Sequence, residues 1–313
     1  MSQVRVGSVE LTHPVMAASG TAGHGAELAA YGELNSIGAV VVKSIAATEW
    51  AGNPAPRVHP IPQGMINAVG LQGLGVQHWI EHDLPAMAAA NATAVVSIWG
   101  RSVDEYQYAA QLLQDGLSSS PHRSTVVAVE VNLSCPNMHG HGIFAHDINM
   151  SAEVIAVCKG LELPLWAKLS PNTDRVISVA RAVHEAGAEA VTLINTVVGM
   201  VLDPETGRPA LGNGGGGISG RAIHPVAVRT VFDVHAAFPE LPIIGVGGVT
   251  SGWEAAELML AGASAVQVGT ATFADPRACF KIAGELSEWA NHHGLSDIGS
   301  LTGLAHRGGL APL

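Results

Sequence analysis

Eight short runs of apolar, β-favouring residues recur along the chain, and segments with helical spacing separate most of them. The runs are residues 15–18, 39–42, 94–99, 127–131, 165–167, 190–194, 243–246 and 265–268. Helical spacing of apolar residues occurs at 103–113, 151–159, 175–186, 222–237, 254–261 and 277–290. Apolar strands that alternate with amphipathic helices are typical of a parallel sheet covered on its outside. Eight such units predict a closed (β/α)8 barrel, the TIM barrel of eight parallel strands.

No linker-like or low-complexity stretch divides the chain, so residues 1–313 are predicted to form one domain. Pro-rich residues followed by Gly-rich residues indicate an ordered insertion at about 50–75 rather than a helix. Asn67 is an amide between apolar residues in the Gly-rich part, which makes it a candidate contact for a substrate.

The carboxyl ends of the predicted strands carry small or polar residues, and in a TIM barrel the site is built at these ends. The residues that end or follow the strands are Ser19, Gly20, Lys43, Ser44, Gly100, Asn132, Lys168, Ser170, Asn195, Thr196, Gly247, Gly248, Gly269 and Thr270. The sequence therefore predicts a functional site at this end of the barrel.

Two of the chain's four lysines, Lys43 and Lys168, lie at strand ends, whereas the chain has eleven arginines. Burying a lysine is costly unless an anionic or polar ligand compensates its charge. The alternative is that each lysine extends from a strand end into water. The pair favours a ligand-binding role.

Glycine-rich loops follow the last two predicted strands, at Gly247, Gly248 and Gly269. Such loops, with open backbone amides beside a helix start, are the usual phosphate pocket of this architecture. The run at residues 214–220 is either a flexible loop or a close approach of backbone to a planar cofactor. We interpret the pattern as a site for a phosphate-bearing cofactor.

Residues 128–137 begin like a strand and end in polar side chains, a thiol and a proline. Asn132, Ser134, Cys135 and Asn137 form either a catalytic loop or a turn with a buried cysteine. The other two cysteines lie in helical segments and are predicted to be packing residues. Three widely spaced cysteines without a Cys-x-x-Cys pair exclude a disulfide framework and a zinc or iron–sulfur ligand set in this chain.

A second irregular stretch, at about 135–150, is predicted to be a lid loop beside the thiol. It holds His139, His141 and His146. Its Gly-rich setting lacks the rigidity and the carboxylate of a metal site, so no metal is predicted.

The net charge is −11, from 26 acidic and 15 basic residues, and it disfavours a nucleic-acid partner. Residues 1–5 lack the pattern of a signal peptide, and no apolar run reaches the ~20 residues that a membrane helix needs. We expect a cytoplasmic protein without a membrane partner.

The motifs, taken together and in order, resemble the dihydroorotate dehydrogenase family. They are ASGT at 18–21, KS at 43–44, NPAPR at 53–57, GMINAVGL at 64–71, NLSCPN at 132–137, KLSP at 168–171, NT at 195–196, GISG at 217–220, GVGG at 245–248 and VGT at 268–270. A cysteine in the central loop resembles the soluble class 1 enzymes, and the insertion pattern resembles the FMN-binding catalytic subunit of class 1B.

The resemblance implies FMN-dependent oxidation of dihydroorotate to orotate in pyrimidine biosynthesis. Cys135 would be the catalytic base, with Lys43 and Lys168 as further catalytic residues. The implied substrate-binding residues are Lys43, Asn67, Gly70, Leu71, Asn132, Asn137, Asn195 and Thr196. The implied FMN-binding residues are Ala18, Ser19, Gly20, Lys43, Ser44, Asn132, Lys168, Ile194, Ser219, Gly220, Gly247, Gly248, Gly269 and Thr270.

Class 1B also implies a partner subunit that carries FAD and a [2Fe–2S] cluster and passes electrons to NAD, in a heterotetramer; a homodimer is the other expectation. The sequence leaves three alternatives open. They are a single-subunit class 1A enzyme that uses fumarate, an FMN-dependent tRNA dihydrouridine synthase, and a flavin-binding barrel that has lost turnover. The acidic net charge argues against the tRNA enzyme.

Overall fold

Eight parallel strands close into a barrel in the computed structural model, which describes residues 3–24, 26–134 and 144–310. The strands of the described chain are β1 (Val4–Val6), β2 (Val9–Leu11), β3 (Val15–Ala17), β4 (Val40–Val41), β5 (Val58–Ile61), β6 (Gly64–Asn67), β7 (Ala94–Ile98), β8 (Val126–Asn132), β9 (Leu165–Lys168), β10 (Ala190–Leu193), β11 (Val197–Gly199), β12 (Gly216–Gly220), β13 (Ile243–Val246) and β14 (Ala265–Val268). The barrel order is β3-β4-β7-β8-β9-β10-β13-β14, and β14 pairs with β3 to close it. The prediction of a TIM barrel is confirmed.

Helices pack around the barrel between the strands. They are α1 (Val76–His78), α2 (Leu84–Ala89), α3 (Val103–Ser119), α4 (Ile148–Cys158), α5 (Val176–Glu185), α6 (His224–Ala237), α7 (Gly252–Ala261), α8 (Ala271–Ala274) and α9 (Ala278–His292). A π-helical segment, Trp79–Asp83, joins α1 to α2. The six segments with helical spacing correspond to α3, α4, α5, α6, α7 and α9.

Polar side chains start several of these helices. Ser102 accepts a hydrogen bond from the Glu105 amide at the start of α3, and Ser251 accepts one from the Glu254 amide at the start of α7. Each bond satisfies one of the amides that a helix start leaves without an internal partner. The cap on α7 fixes where the loop after β13 ends.

The barrel interior changes from apolar to polar along the strands. At the amino-terminal end, the hairpin β1–β2 and an apolar cluster fill the barrel; the cluster includes Val95, Ala128, Trp166, Ala190 and Ala265. Two residues further along the same strands, and so on the same side of each strand, come Ser97, Glu130, Lys168, Thr192 and Gln267. All five are buried. The apolar layer therefore supports a polar layer, which faces the carboxyl end.

A second sheet of four antiparallel strands, in the order β11-β12-β6-β5, borders the carboxyl end of the barrel. The predicted insertion supplies the hairpin β5–β6, which contains Asn67. The glycine-rich run is not a flexible loop, because Gly216–Gly220 forms β12 and pairs with β6. A Cβ at Gly216 would lie 2.4 Å from the Asn67 carbonyl oxygen, so this strand needs glycine for its close approach.

No helix in the described residues is long and apolar enough to cross a membrane.

His13, between β2 and β3, is predicted to make stability depend on pH. Its Nδ1 accepts a hydrogen bond from the Val15 amide at 3.1 Å. Burial lowers its pKa to about 4, although a hydrogen bond with the backbone of Ala283 acts to raise it. The unfolded chain therefore binds a proton that the folded chain excludes between about pH 6.5 and pH 4. The stability that unprotonated His13 contributes is fully present above pH 6.5, and about 3 kcal/mol of it is lost as the pH falls to 4.

Urea unfolding of His13→Asn between pH 7 and pH 4 checks this expectation. The asparagine oxygen can still accept from the Val15 amide but does not titrate. The variant should show a shallower pH dependence than wild type, and the exposed control His292→Asn should match wild type. Equal slopes for His13→Asn and wild type would contradict the assignment.

Candidate active site

One cavity opens at the carboxyl end of the barrel, between the strand ends and the four-stranded sheet. The space between its lining atoms is about 1170 Å³, counting the open mouth, which suits a ligand of cofactor size. Every catalytic, substrate-binding and FMN-binding residue that the resemblance implied, and that the structure describes, lines it, whereas Gly100, Ser134 and Ser170 do not. The implied residues that line it are Ala18, Ser19, Gly20, Lys43, Ser44, Asn67, Gly70, Leu71, Asn132, Lys168, Ile194, Asn195, Thr196, Ser219, Gly220, Gly247, Gly248, Gly269 and Thr270.

Two predicted site residues, Cys135 and Asn137, lie outside the described residues, as do His139 and His141. His146 lies in the short 3-10 turn Phe144–His146, and burial lowers its pKa. The predicted lid therefore lies mostly outside the described ranges.

Further cavity residues were not predicted from the sequence. They are Thr21, Val58, Met65, Val69, Ile223, Val246 and Phe273. Most are apolar, and in the sequence they look the same as core residues. Val58 and Phe273 are nevertheless 48% and 58% exposed, because they stand at the cavity mouth.

Glu130 lies beneath the cavity floor, fully buried, and it was also not predicted. Its Oε1 lies 3.6 Å from Lys168 Nζ. Its Oε2 accepts hydrogen bonds from Thr192 Oγ1 and Gln267 Nε2, both at 3.1 Å. A buried carboxylate needs such partners to remain charged. Lys168 is thereby held between this carboxylate and the cavity, which its side chain lines.

A chain of hydroxyl groups connects Glu130 to the amide of Asn132. Ser97 Oγ donates to Glu130 Oε1 at 3.4 Å and lies 2.8 Å from Ser44 Oγ. Asn132 Nδ2 donates to Ser44 Oγ at 3.1 Å. Because Ser97 gives its proton to the carboxylate, Ser44 must donate to Ser97 and accept from Asn132. The carboxylate thus fixes the orientation of the Asn132 amide.

The other side of this amide organises the start of the central loop. Asn132 Oδ1 accepts a hydrogen bond from Ser134 Oγ at 3.1 Å. Asn195 Nδ2 donates to Ser134 Oγ at 2.6 Å, and the Thr196 amide donates to Asn195 Oδ1 at 2.8 Å. Tyr106 holds the Asn132 carbonyl with a 2.6 Å hydrogen bond from its hydroxyl group. The amides of Asn132 and Asn195 therefore line the cavity from fixed positions.

Lys43 brings a second cation to the cavity. Burial lowers its pKa, and the charge of Arg57 lowers it further. Arg57 itself holds the insertion, since its guanidinium donates to the carbonyls of Asn53 and Ala51 and to the Gln72 side chain. An anionic group in the cavity would stabilise the positive charges of both lysines that line it, Lys43 and Lys168.

The insertion carries its polar groups on a braced segment. Asn67 Nδ2 donates to the Gly217 carbonyl at 3.3 Å, across the pairing of β6 with β12. Trp50 Nε1 donates to the Gly70 carbonyl at 2.9 Å, and the guanidinium of Arg101 lies 4.6 Å from the Trp50 ring centroid. These contacts place Asn67 and the backbone of Gly70 at the cavity wall.

Bare backbone forms the wall after β13 and β14. Gly247 and Gly248 have φ values of 141° and 72°, which only glycine adopts readily. A Cβ at Gly248 would lie 2.7 Å from His224 Cβ and 2.9 Å from the Gly220 carbonyl oxygen. Backbone without side chains is well suited to bind a phosphate group.

A sequence model of the family described as dihydroorotate dehydrogenase matches residues 1–289. The chain belongs to this family. Its members are flavin-dependent oxidoreductases. The cavity fits a flavin nucleotide, because the glycine backbone suits a phosphate group and the two lysines suit an electron-rich ring system.

Several members of the family are similar to this chain over nearly their whole length. The protein named "Dihydroorotate dehydrogenase B (NAD(+)), catalytic subunit" from Geobacter sp. (strain M21) is 45% identical over 302 residues, which is 96% of each chain. The protein of the same name from Desulforudis audaxviator (strain MP104C) is 45% identical over 308 residues, which is 98% of each chain. That from Geobacter metallireducens is 42% identical over 302 residues, again 96% of each chain.

The pair of Glu130 and Lys168 is predicted to be energetically coupled. Glu130→Gln should destabilise the flavin-free chain by about 3 kcal/mol, because Lys168 then loses its counter-charge and three donors lose a charged acceptor. Adding Lys168→Met should recover part of that loss, since the unpaired charge is removed.

Urea unfolding of the two single variants and the double variant measures this coupling. The free energy of unfolding of the double variant should exceed, by at least about 1 kcal/mol, the value expected from adding the two single effects. Asp233→Asn breaks the exposed pair of Asp233 with Arg229 and should change stability by no more than about 0.5 kcal/mol. Strict additivity of Glu130→Gln and Lys168→Met would contradict the coupling.

Proposed function

We propose that this chain is the catalytic subunit of an NAD-linked dihydroorotate dehydrogenase, which oxidises dihydroorotate to orotate in pyrimidine biosynthesis. The observation that supports it best is the cavity at the carboxyl end of the barrel, where two lysines, fixed amides and a glycine-backbone wall meet. The names of the relatives, which are similar over nearly the whole chain, support the same reaction.

We assign FMN binding to the barrel side of the cavity. Gly247, Gly248, Gly269 and Thr270 would hold the phosphate group, and Thr270 Oγ1 already donates to Ser219 Oγ at 2.8 Å. The other proposed FMN contacts are Ala18, Ser19, Gly20, Lys43, Ser44, Asn132, Lys168, Ile194, Ser219 and Gly220. When bound, FMN supplies the acceptor for the two electrons that leave the substrate as hydride.

Lys168 and Lys43 place positive charge where electron density accumulates during the reaction. The carboxylate of Glu130 holds Lys168 from below, so little reorganisation of this side chain is needed. The lowered pKa of Lys43 reflects a buried charge that an anionic substrate would stabilise.

Fixed amides would orient the substrate. We assign its polar groups to Asn67, Asn132, Asn137, Asn195 and Thr196, with the backbone of Gly70 and Leu71. The hydrogen bonds among Asn132, Ser134 and Asn195 restrict the directions in which these groups can donate and accept. Such restriction aligns the bond that breaks with its acceptor.

Cys135 is the proposed base that takes the proton from carbon 5 of dihydroorotate, while carbon 6 loses hydride. It directly follows Ser134, which the hydrogen bond from Asn195 holds in place. A cysteine ordinarily titrates at about pH 8.5, so positive charge and amides in the cavity would help to form the thiolate.

Electrons would leave through a partner subunit that carries FAD and a [2Fe–2S] cluster and reduces NAD. The words "catalytic subunit" in the relatives' names support a separate subunit. A heterotetramer with that subunit is the proposed assembly, and a homodimer of this chain is the alternative.

Cys135→Ala is expected to retain FMN but to be reduced by dihydroorotate roughly 10²–10⁴-fold more slowly, because the proton at carbon 5 has lost its acceptor. Stopped-flow measurement of flavin bleaching under anaerobic conditions tests this. Cys158→Ala is the matched control. Burial raises the pKa of the Cys158 thiol to about 12, so this cysteine should not affect the rate. A near-normal rate for Cys135→Ala would refute the base assignment.

The electron acceptor is tested with the purified chain alone. Dihydroorotate should bleach the bound flavin, and neither NAD nor fumarate should restore its colour. Restoration by fumarate would instead identify a self-sufficient class 1A enzyme. A bound flavin that dihydroorotate never bleaches would contradict the proposed reaction itself.

A further inference from the structure

His224 lies directly behind the glycine wall of the cavity, and the proposed reaction gives it no role. It is the first residue of α6, and 8% of its side chain is exposed. Its Nδ1 lies 2.7 Å from the carbonyl oxygen of Gly247. Its Nε2 lies 3.0 Å from Oε2 of Glu257, which is on α7. Both ring nitrogens are therefore engaged.

Both of these partners are hydrogen-bond acceptors. A carbonyl oxygen and a carboxylate have no hydrogen to donate, and a neutral imidazole has only one N–H group. Only the doubly protonated ring of His224 satisfies both Gly247 and Glu257.

The other charged groups around this ring are also paired. Arg221 Nε lies 2.8 Å from Glu254 Oε1, and Glu254 Oε2 accepts hydrogen bonds from the amide and the hydroxyl of Thr250. Burial acts to raise the pKa of Glu254, but these hydrogen bonds and the charges of Arg221 and His224 outweigh it and lower the pKa. Glu254 is thus committed to Arg221, which leaves Glu257 as the partner of His224.

The contact with Gly247 reaches the cavity through one peptide group. The carbonyl of Gly247 and the N–H of Gly248 belong to the same peptide. A charged donor on the carbonyl polarises that peptide and strengthens its N–H as a donor. The missing Cβ of Gly248 is directed at the Cβ of His224 and at the backbone of Gly220 and Arg221, so these atoms form the surface against which the turn packs.

We propose that His224, which bridges the Gly247 carbonyl and the Glu257 carboxylate, is a positioning residue that strengthens phosphate binding at the Gly247–Gly248 turn. The inference rests on the proposed function, in which the phosphate group of FMN binds at this turn. Riboflavin lacks that phosphate, so a comparison of the two flavins isolates the effect.

The test measures the dissociation constants of FMN and riboflavin with the flavin-free chain, by quenching of flavin fluorescence at neutral pH. His224→Asn keeps a neutral donor near the Gly247 carbonyl, and Glu257→Gln removes the carboxylate that holds the second proton. Both variants should bind FMN roughly 5- to 30-fold more weakly and riboflavin as wild type does. Glu288→Gln, on the exposed side of α9, removes the same charge and should leave both constants unchanged.

A further measurement separates this role from a merely structural one. Nitrogen-15 NMR of histidine-labelled chain should show that Nδ1 of His224 carries a hydrogen, because the Gly247 carbonyl can only accept.

Three results would overturn the proposal. They are an unchanged FMN preference in both variants, an equal loss of FMN and riboflavin binding, and an Nδ1 of His224 that carries no hydrogen. A wild-type chain that binds neither flavin would overturn the proposed function itself, and this assignment with it.

Discussion

The buried carboxylate of Glu130 is the interaction on which the floor of the cavity depends. It holds Lys168 directly and orients Asn132 through two serine hydroxyls. A charge in the middle of a barrel is tolerated only because hydrogen bonds and a cation surround it. The apolar layer below excludes water from the amino-terminal end of the barrel, so water and ligands reach the polar layer only from the cavity. One carboxylate therefore contributes both to the stability of the barrel and to the geometry of the candidate site.

Much of the fold followed from the sequence because its strands are buried on both faces and read as continuous apolar runs. Residues 76–89 were not predicted to be helical, since a π-helical segment interrupts the regular spacing of their apolar residues. The glycine-rich strand β12 was also missed as a strand. Glycine is unfavourable in strands on propensity alone, and only the close approach to β6 explains its use there.

The candidate site was predictable where strand ends carry polar residues or glycine, and less so elsewhere. Glu130 left a usable signal, because strict alternation places it on the same face of β8 as Asn132. No sequence signal indicates Val58 and Phe273, because only their place at the cavity mouth distinguishes them from core residues. The role of Cys135 rests on resemblance and chemistry, as this residue lies outside the described ranges.

The four-stranded sheet at the cavity mouth joins segments that are far apart in the chain. Asn67 on β6 meets Gly217 on β12 across a separation of 150 residues. Closing so long a loop carries an entropy cost that local helices do not share, and contacts of this kind slow folding. During synthesis the insertion must wait for β12 before its hairpin gains this neighbour. The cavity wall can therefore be completed only after most of the barrel strands have been synthesised.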